Sequence, residues 1–229
     1  MPSGQPIFAF EGVSLVTDGQ TRLVDVDLTV ADRAITVIIG ASGSGKSSLL
    51  RLGNRLEAPT QGVVRFRGED LAALDIHAHR RQVGMLFQRP IPFAGTVRQN
   101  LQVAAPDLSD DDATALLERV TLAGSFLDRP ADRLSGGEAQ RMCLARSLAT
   151  DPEVMLVDEA TSSLDPDATR RLEDLAVSLR DEGITVLWVT QEHGQIDRIA
   201  DHAVRVAAGR VATARTATST RSASWRHSS

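Results

Sequence analysis

Three glycines, three serines and a lysine stand together in Gly40-Ala41-Ser42-Gly43-Ser44-Gly45-Lys46-Ser47, a spacing that can wrap a polyphosphate. Glycines let successive backbone N–H groups turn inward, and a helix starting just after them adds the positive end of its dipole. Lys46 supplies a mobile cation for the β and γ phosphates, and the Ser47 hydroxyl, followed by Ser48, offers one position on Mg²⁺. A nucleoside triphosphate is the ligand this predicts. A second chemical pair, Asp158-Glu159, closes the apolar run Val154-Met155-Leu156-Val157. Asp158 can hold Mg²⁺ through water, and Glu159 can orient and polarise an attacking water.

Both groups need strand ends to position them. The run Ile35-Thr36-Val37-Ile38-Ile39 lacks polar alternation and reads as a strand covered on both faces, with a helix from Ser47 onward. Strands are expected at residues 63–68, 83–87, 153–159, 184–189 and 203–206, and helices near 167–182 and 192–201. Alternating strands and helices indicate a mainly parallel sheet, with the strand of Asp158 expected beside that of the phosphate loop. Residues 7–30 alternate with period two and predict antiparallel strands. Residues 89–150 carry helical patterns, and Ser109 before Asp110-Asp111-Asp112 is an N-cap with an acidic first turn, not a metal site.

With 229 residues, 42% hydrophobic and 24% charged, the chain can bury a full core. A net charge of -5 without a basic stripe argues against nucleic acid as partner. One cysteine, Cys143, permits no internal disulfide and suits a reducing compartment. Neither a signal peptide nor a membrane span is expected, so any membrane role comes through a partner subunit. Residues 212–229 are Ala, Thr, Ser and Arg with one Trp and one His, without periodicity, and predict a flexible solvated tail.

Five segments in order resemble the ATP-binding cassette family, the ATPase subunits of ABC transporters: the loop 40–47, Gln88, Leu134-Ser135-Gly136-Gly137-Glu138, Asp158-Glu159 and Ser163-Leu164-Asp165. The resemblance covers the chain to about Arg210. It implies an α/β fold, a phosphate-loop (RecA-like) mainly parallel sheet core with an antiparallel β subdomain and an inserted α-helical subdomain at about 89–150. The ATPase domain would span 1–211. ATP and Mg²⁺ would be the ligands, and two cassettes would pair head to tail, with Ser135, Gly136 and Gly137 facing the γ-phosphate held by the partner. A helix opening there offers free N–H groups to an anion. By the same resemblance Gln88 reaches the metal and attacking water, and Asp165 aligns the partner site across the seam. The loop after Gln88, with Phe93, would face a polytopic membrane subunit. That places the chain in the cytoplasm, peripheral on the inner face of the cell membrane. The loop resembles the phosphate-import and iron- or metal-export subgroups. Two other classes share these motifs: a soluble cassette ATPase of DNA repair or translation, and a nucleotide-gated regulator with little hydrolysis.

Two positions depart from the family. An aromatic residue usually stacks on adenine where Thr17 stands, which predicts weak discrimination between ATP and GTP. A histidine that touches the γ-phosphate is usual where Gln191 stands; an amide donates a hydrogen bond but carries no proton or charge, which predicts slow, measurable hydrolysis. His193 is read as a surface residue, as are His77 and His79, while Cys143 and Trp188 are expected to be packed in the core.

Overall fold

The structure is a computed structural model and describes residues 5–162 and 164–216. Strands β1 (Phe8–Thr17) and β2 (Gln20–Val30) pair antiparallel in the register Phe8↔Val30 and Leu15↔Leu23. Their connection, Asp18-Gly19, has φ of 52° and 71°, the positive values that a tight hairpin with matching twist requires. Strand β3 (Ile35–Ile39) is wholly buried and leads through the glycine-rich loop into helix α1 (Lys46–Gly53). Then come β4 (Gln61–Phe66), the short β5 (Glu69–Asp70), α2 (Ile76–Gln82) and β6 (Val83–Leu86). Helices α3 (Val97–Ala104), α4 (Asp110–Arg119) and α5 (Gly136–Leu148) follow, then β7 (Val154–Asp158), α6 (Pro166–Asp181), β8 (Thr185–Thr190), α7 (Gly194–Ile199), β9 (His202–Ala207) and β10 (Arg210–Thr216). Ser109 caps α4 by accepting from Asp112 N, with the aspartates in its first turn.

Two sheets result: β2-β1-β4-β5, antiparallel, and β10-β9-β3-β8-β7-β6, parallel except for β10. Residue parity sorts the faces of the second. Ile38, Leu156, Val189 and Val204 pack with Phe8, Phe10, Leu49 and Leu50 from the first sheet and α1. Val37, Met155, Val157 and Trp188 pack with Met142, Leu172 and Leu175 from α5 and α6. Apolar layers on both faces are why these strands read as continuous runs.

The strand of Asp158 is not beside that of the phosphate loop. β8 lies between, pairing Val186 with Ile35 on one side and Thr185 with Val154 on the other. The crossover from β7 through α6 inserts β8 into that seam, and crossover handedness is a property of the twisted sheet that run composition does not display. The expected tail boundary also moves. β10 extends to Thr216, paired with His202, because an edge strand is held by its backbone ladder and needs no apolar period. Residues 217–229, with Arg221 and Arg226, lie outside the described residues.

His79 is a further correction. His77 is exposed, but His79, also on α2, is 1% exposed. Its Nε2 lies 2.8 Å from the carbonyl of Gly53, capping one of the last carbonyls of α1, and its ring stands edge-on to Phe66. Burial, the largest cause, pushes its pKa below the usual 6.5, and Nδ1 has no partner among the described residues. Below the unfolded value the unfolded chain binds a proton that the folded chain refuses. Stability should therefore fall by up to about 1.4 kcal/mol per pH unit as acid is added, until the lowered folded pKa is reached. Thermal midpoints between about pH 7.5 and 5.5 check this, with a shallower slope expected for His79→Gln.

Candidate functional site at the edge of the parallel sheet

The loop between β3 and α1 is shaped by what surrounds it. A Cβ at Gly40 would stand 2.1 Å from the carbonyl oxygen of Val206, and Gly45 has φ 106° with a Cβ position 2.7 Å from the carbonyl oxygen of Arg22. No other side chain fits either position without displacing backbone. Among the described residues a Cβ at Gly43 would meet nothing within 4 Å, so the loop opens there, and Ser42 is exposed beside it. Ser48 is half-buried on α1. Ser44 is buried, and among the described residues its Oγ has no hydrogen-bond partner. An orphaned buried hydroxyl in a glycine-rich loop is what a polyanion held by that loop would satisfy, so the residues present fit a phosphate chain.

Lys46 is 3% exposed and folded back on its own loop. Its Nζ donates to the carbonyls of Gly40 and Ala41, 2.9 Å each, and lies 3.3 Å from Oε1 of Glu159. Ser47 Oγ donates to Oδ1 of Asp158 at 2.7 Å, across the β8 strand that separates their elements. Asp158 is buried, and burial raises its carboxyl pKa; the Ser47 hydrogen bond and the Arg51 charge oppose that rise. A buried carboxylate and a hydroxyl at 2.7 Å form an oxygen donor pair suited to Mg²⁺.

Glu159 follows β7 with φ 46°, a left-handed value that costs a non-glycine residue about 1–3 kcal/mol. Its N–H is fixed by the carbonyl of Val189, and its carboxylate receives the Gln191 amide at 2.9 and 3.0 Å. Gln191 thus rests on the carboxylate, and His193 is exposed at the start of α7. Gln88, past the end of β6, donates to Ser162 Oγ at 3.3 Å. Lys46, Ser47, Gln88, Asp158, Glu159 and Gln191 therefore all stand at or just beyond the same edge of the parallel sheet, the carboxyl ends of its strands, as is usual for ligand sites in open α/β folds. Sequence reasoning missed Ser162, whose only signal was its place three residues after Glu159.

Ser135 and Asp165 have partners of their own, and Gly136 and Gly137 begin α5. Ser135 caps α5 in a reciprocal box with Glu138: Glu138 Oε2 accepts from Ser135 N at 2.8 Å. That bond, the largest cause, holds the Glu138 carboxyl below its usual range. Among the described residues a Cβ at Gly136 would meet nothing within 4 Å, so there the α5 N-terminus presents an open backbone face. Asp165 caps α6 by accepting from Ala168 N. Among the described residues neither Ser135 nor Asp165 hydrogen-bonds the phosphate loop, and Ser163 lies outside the described residues. Thr17 is half-buried at the hairpin tip, next to Val16 at 46% exposed.

The loop after Gln88 is held from behind. Asn100, 1% exposed, accepts from Phe93 N and donates to the carbonyls of Phe93 and Thr96. The Arg146 guanidinium covers one face of the Phe93 ring at 4.2 Å and donates to the carbonyl of Ile91. Phe93 remains 45% and Ile91 58% exposed, leaving an apolar surface on a fixed backbone. Cys143 is buried beneath it, its thiol pKa raised by burial, and Trp188 is core as expected.

Residues 23–162 match the ABC transporter family model. The chain belongs to the ABC transporter family. Protein STAR1 of Oryza sativa subsp. japonica is 44% identical over 83% of this chain and 57% of that protein. The phosphate import ATP-binding protein PstB of Thermotoga maritima is 37% identical over 86% of this chain and 85% of that one. Among solved structures, cbiO1 of Clostridium perfringens, part of the ABC transporter complex cbiONQ, superposes with a TM-score of 0.84 at 26% identity, covering 94% of this chain and 90% of that one. The ABC ATPase fold is thus the fold of this chain. It spans little more than half of the rice relative's length. Among the described residues no helix is long and apolar enough to cross a membrane.

Proposed function

We propose that this chain binds and hydrolyses ATP as the nucleotide-binding subunit of a membrane transporter. The observation that carries the reading is the convergence of Lys46, Gln191 and Glu159, with Ser47 and Asp158 beside them. The Gly40–Ser48 backbone and Lys46 hold the phosphates, while Ser47, Asp158 and Gln88 hold Mg²⁺. When bound, the metal screens phosphate charge and favours departure of the leaving oxygen. A polyanion in the loop competes for Lys46 with Glu159 and two carbonyls. Glu159, relieved of its ion pair, is then free to accept the proton of the attacking water, with Gln191 keeping the carboxylate oriented. Ser135, Gly136 and Gly137 of a second copy close the site, since a capped but open helix N-terminus offers N–H groups to the γ-phosphate.

The Ile91 and Phe93 surface fits a polytopic membrane subunit, which would hold the chain at the inner face of the cell membrane. The load, phosphate import or metal export, is read by that subunit; the likeness to a protein named for phosphate import supports the first. Purified chain should release phosphate from ATP only when magnesium is present and should co-purify with a polytopic subunit. ATP retained without any phosphate release would make the chain a nucleotide-gated regulator, and the absence of both would end the reading.

A further inference from the structure

Behind the site, a buried amide joins the two loops that carry its catalytic side chains. Gln195 is fully buried and sits on α7. Its Oε1 accepts from Trp188 Nε1 at 3.0 Å, and because an indole N–H only donates, that contact fixes which way the amide faces. Nε2 is thereby aimed at two acceptors, Glu173 Oε1 at 2.9 Å and Thr161 Oγ1 at 3.2 Å. Glu173, 2% exposed on α6, also takes two bonds of 2.7 Å from Arg198, which reaches on to Glu192 at 2.7 Å.

The two ends of this network matter. Thr161 lies two residues after Glu159 and one before Ser162, the partner of Gln88. Glu192 directly follows Gln191, and its N–H is fixed by Thr190 Oγ1. One connected set of bonds therefore spans from the loop after β7 to the loop after β8. These are the loops whose side chains meet in the Gln191 to Glu159 contact.

We propose that Gln195 is a positioning residue for hydrolysis, its amide holding Thr161 so that Glu159 and Gln191 keep their mutual orientation. This rests on the ATPase reading above. Gln195 touches no reacting atom; it acts through Thr161. A glutamate at this position would set a second carboxylate against Glu173 and a methionine would offer a donor to neither Glu173 nor Thr161, so only an amide fits the indole on one side and the carboxylate on the other.

Thr161 is half-buried, which allows a gentle test in the full chain. Thr161→Val keeps the shape and loses the hydroxyl; Thr161→Ser keeps the hydroxyl. At saturating ATP, Thr161→Val should turn over about tenfold more slowly, with ATP affinity and thermal midpoint unchanged, and Thr161→Ser should turn over near the rate of the unsubstituted chain. A merely structural threonine would shift affinity and midpoint along with rate, or leave all three alone; either result overturns the proposal while the ATPase reading stands. Equal rates for the Val and Ser variants overturn it too. If the unsubstituted chain releases no phosphate from magnesium ATP, both readings fall, and that is seen before any variant is compared.

Discussion

Glu159→Gln should lower ATP turnover by about 10²–10⁴-fold, the range that a positioned general base contributes, and should leave ATP bound. The substitution keeps the side chain's size and a carbonyl oxygen for the Gln191 amide, so the loop geometry is preserved. What disappears is the proton acceptor and the anion 3.3 Å from Lys46. With that ion pair gone, Lys46 has one competitor fewer for phosphate, so affinity should hold or rise. Phosphate release, measured beside retention of labelled ATP on the same preparation, separates the two effects. Turnover within twofold of the unsubstituted chain would remove Glu159 from the chemistry.

Lys46→Met should act on binding. A charge-assisted hydrogen bond to phosphate is worth roughly 1.5–3 kcal/mol, so ATP affinity should fall about 10- to 100-fold. The consequence is visible in heat denaturation. ATP at about a hundred times its Kd stabilises the folded chain by about 2.7 kcal/mol, and the same ATP against a Kd a hundredfold weaker by only about 0.4 kcal/mol. The ligand-free variant should melt earlier as well, because the carbonyls of Gly40 and Ala41 and the Glu159 carboxylate lose the cation they share. An undiminished ATP-induced shift in the variant would contradict the role given to Lys46.

Local chemistry was legible in the sequence; geometry that depends on distant partners was not. The glycine loop, the all-apolar strands and the cap at Ser109 follow from residues adjacent in the chain, whereas the cap at Asp165 was seen only in the structure. The place of β8 between β3 and β7 depends on crossover handedness, and the pairing of β10 depends on a free edge of β9. His79 reads as a surface histidine because neither Phe66 nor Gly53, its neighbours in space, is near it in the chain. The Thr161, Glu173 and Gln195 network escaped for the same reason. Its members are ordinary polar residues on α6, α7 and a loop, and only burial reveals that each has a single available partner set. Gln191 was legible as a departure from family pattern, but its grip on Glu159 was visible only once both strand ends were placed.

The claim on which the rest depends is that each nucleotide site is completed by Ser135, Gly136 and Gly137 of a second copy. In this chain that helix N-terminus is open and shares no hydrogen bond with the phosphate loop among the described residues. The direct measurement is the mass in solution of Glu159→Gln, which should trap the closed form, with and without magnesium ATP. Monomer alone, dimer with ATP, and loss of that dimer when Ser135→Arg is added while ATP still binds, is the predicted result. A Glu159→Gln chain that holds ATP and remains a monomer, or one that dimerises equally well with Ser135→Arg, would contradict it.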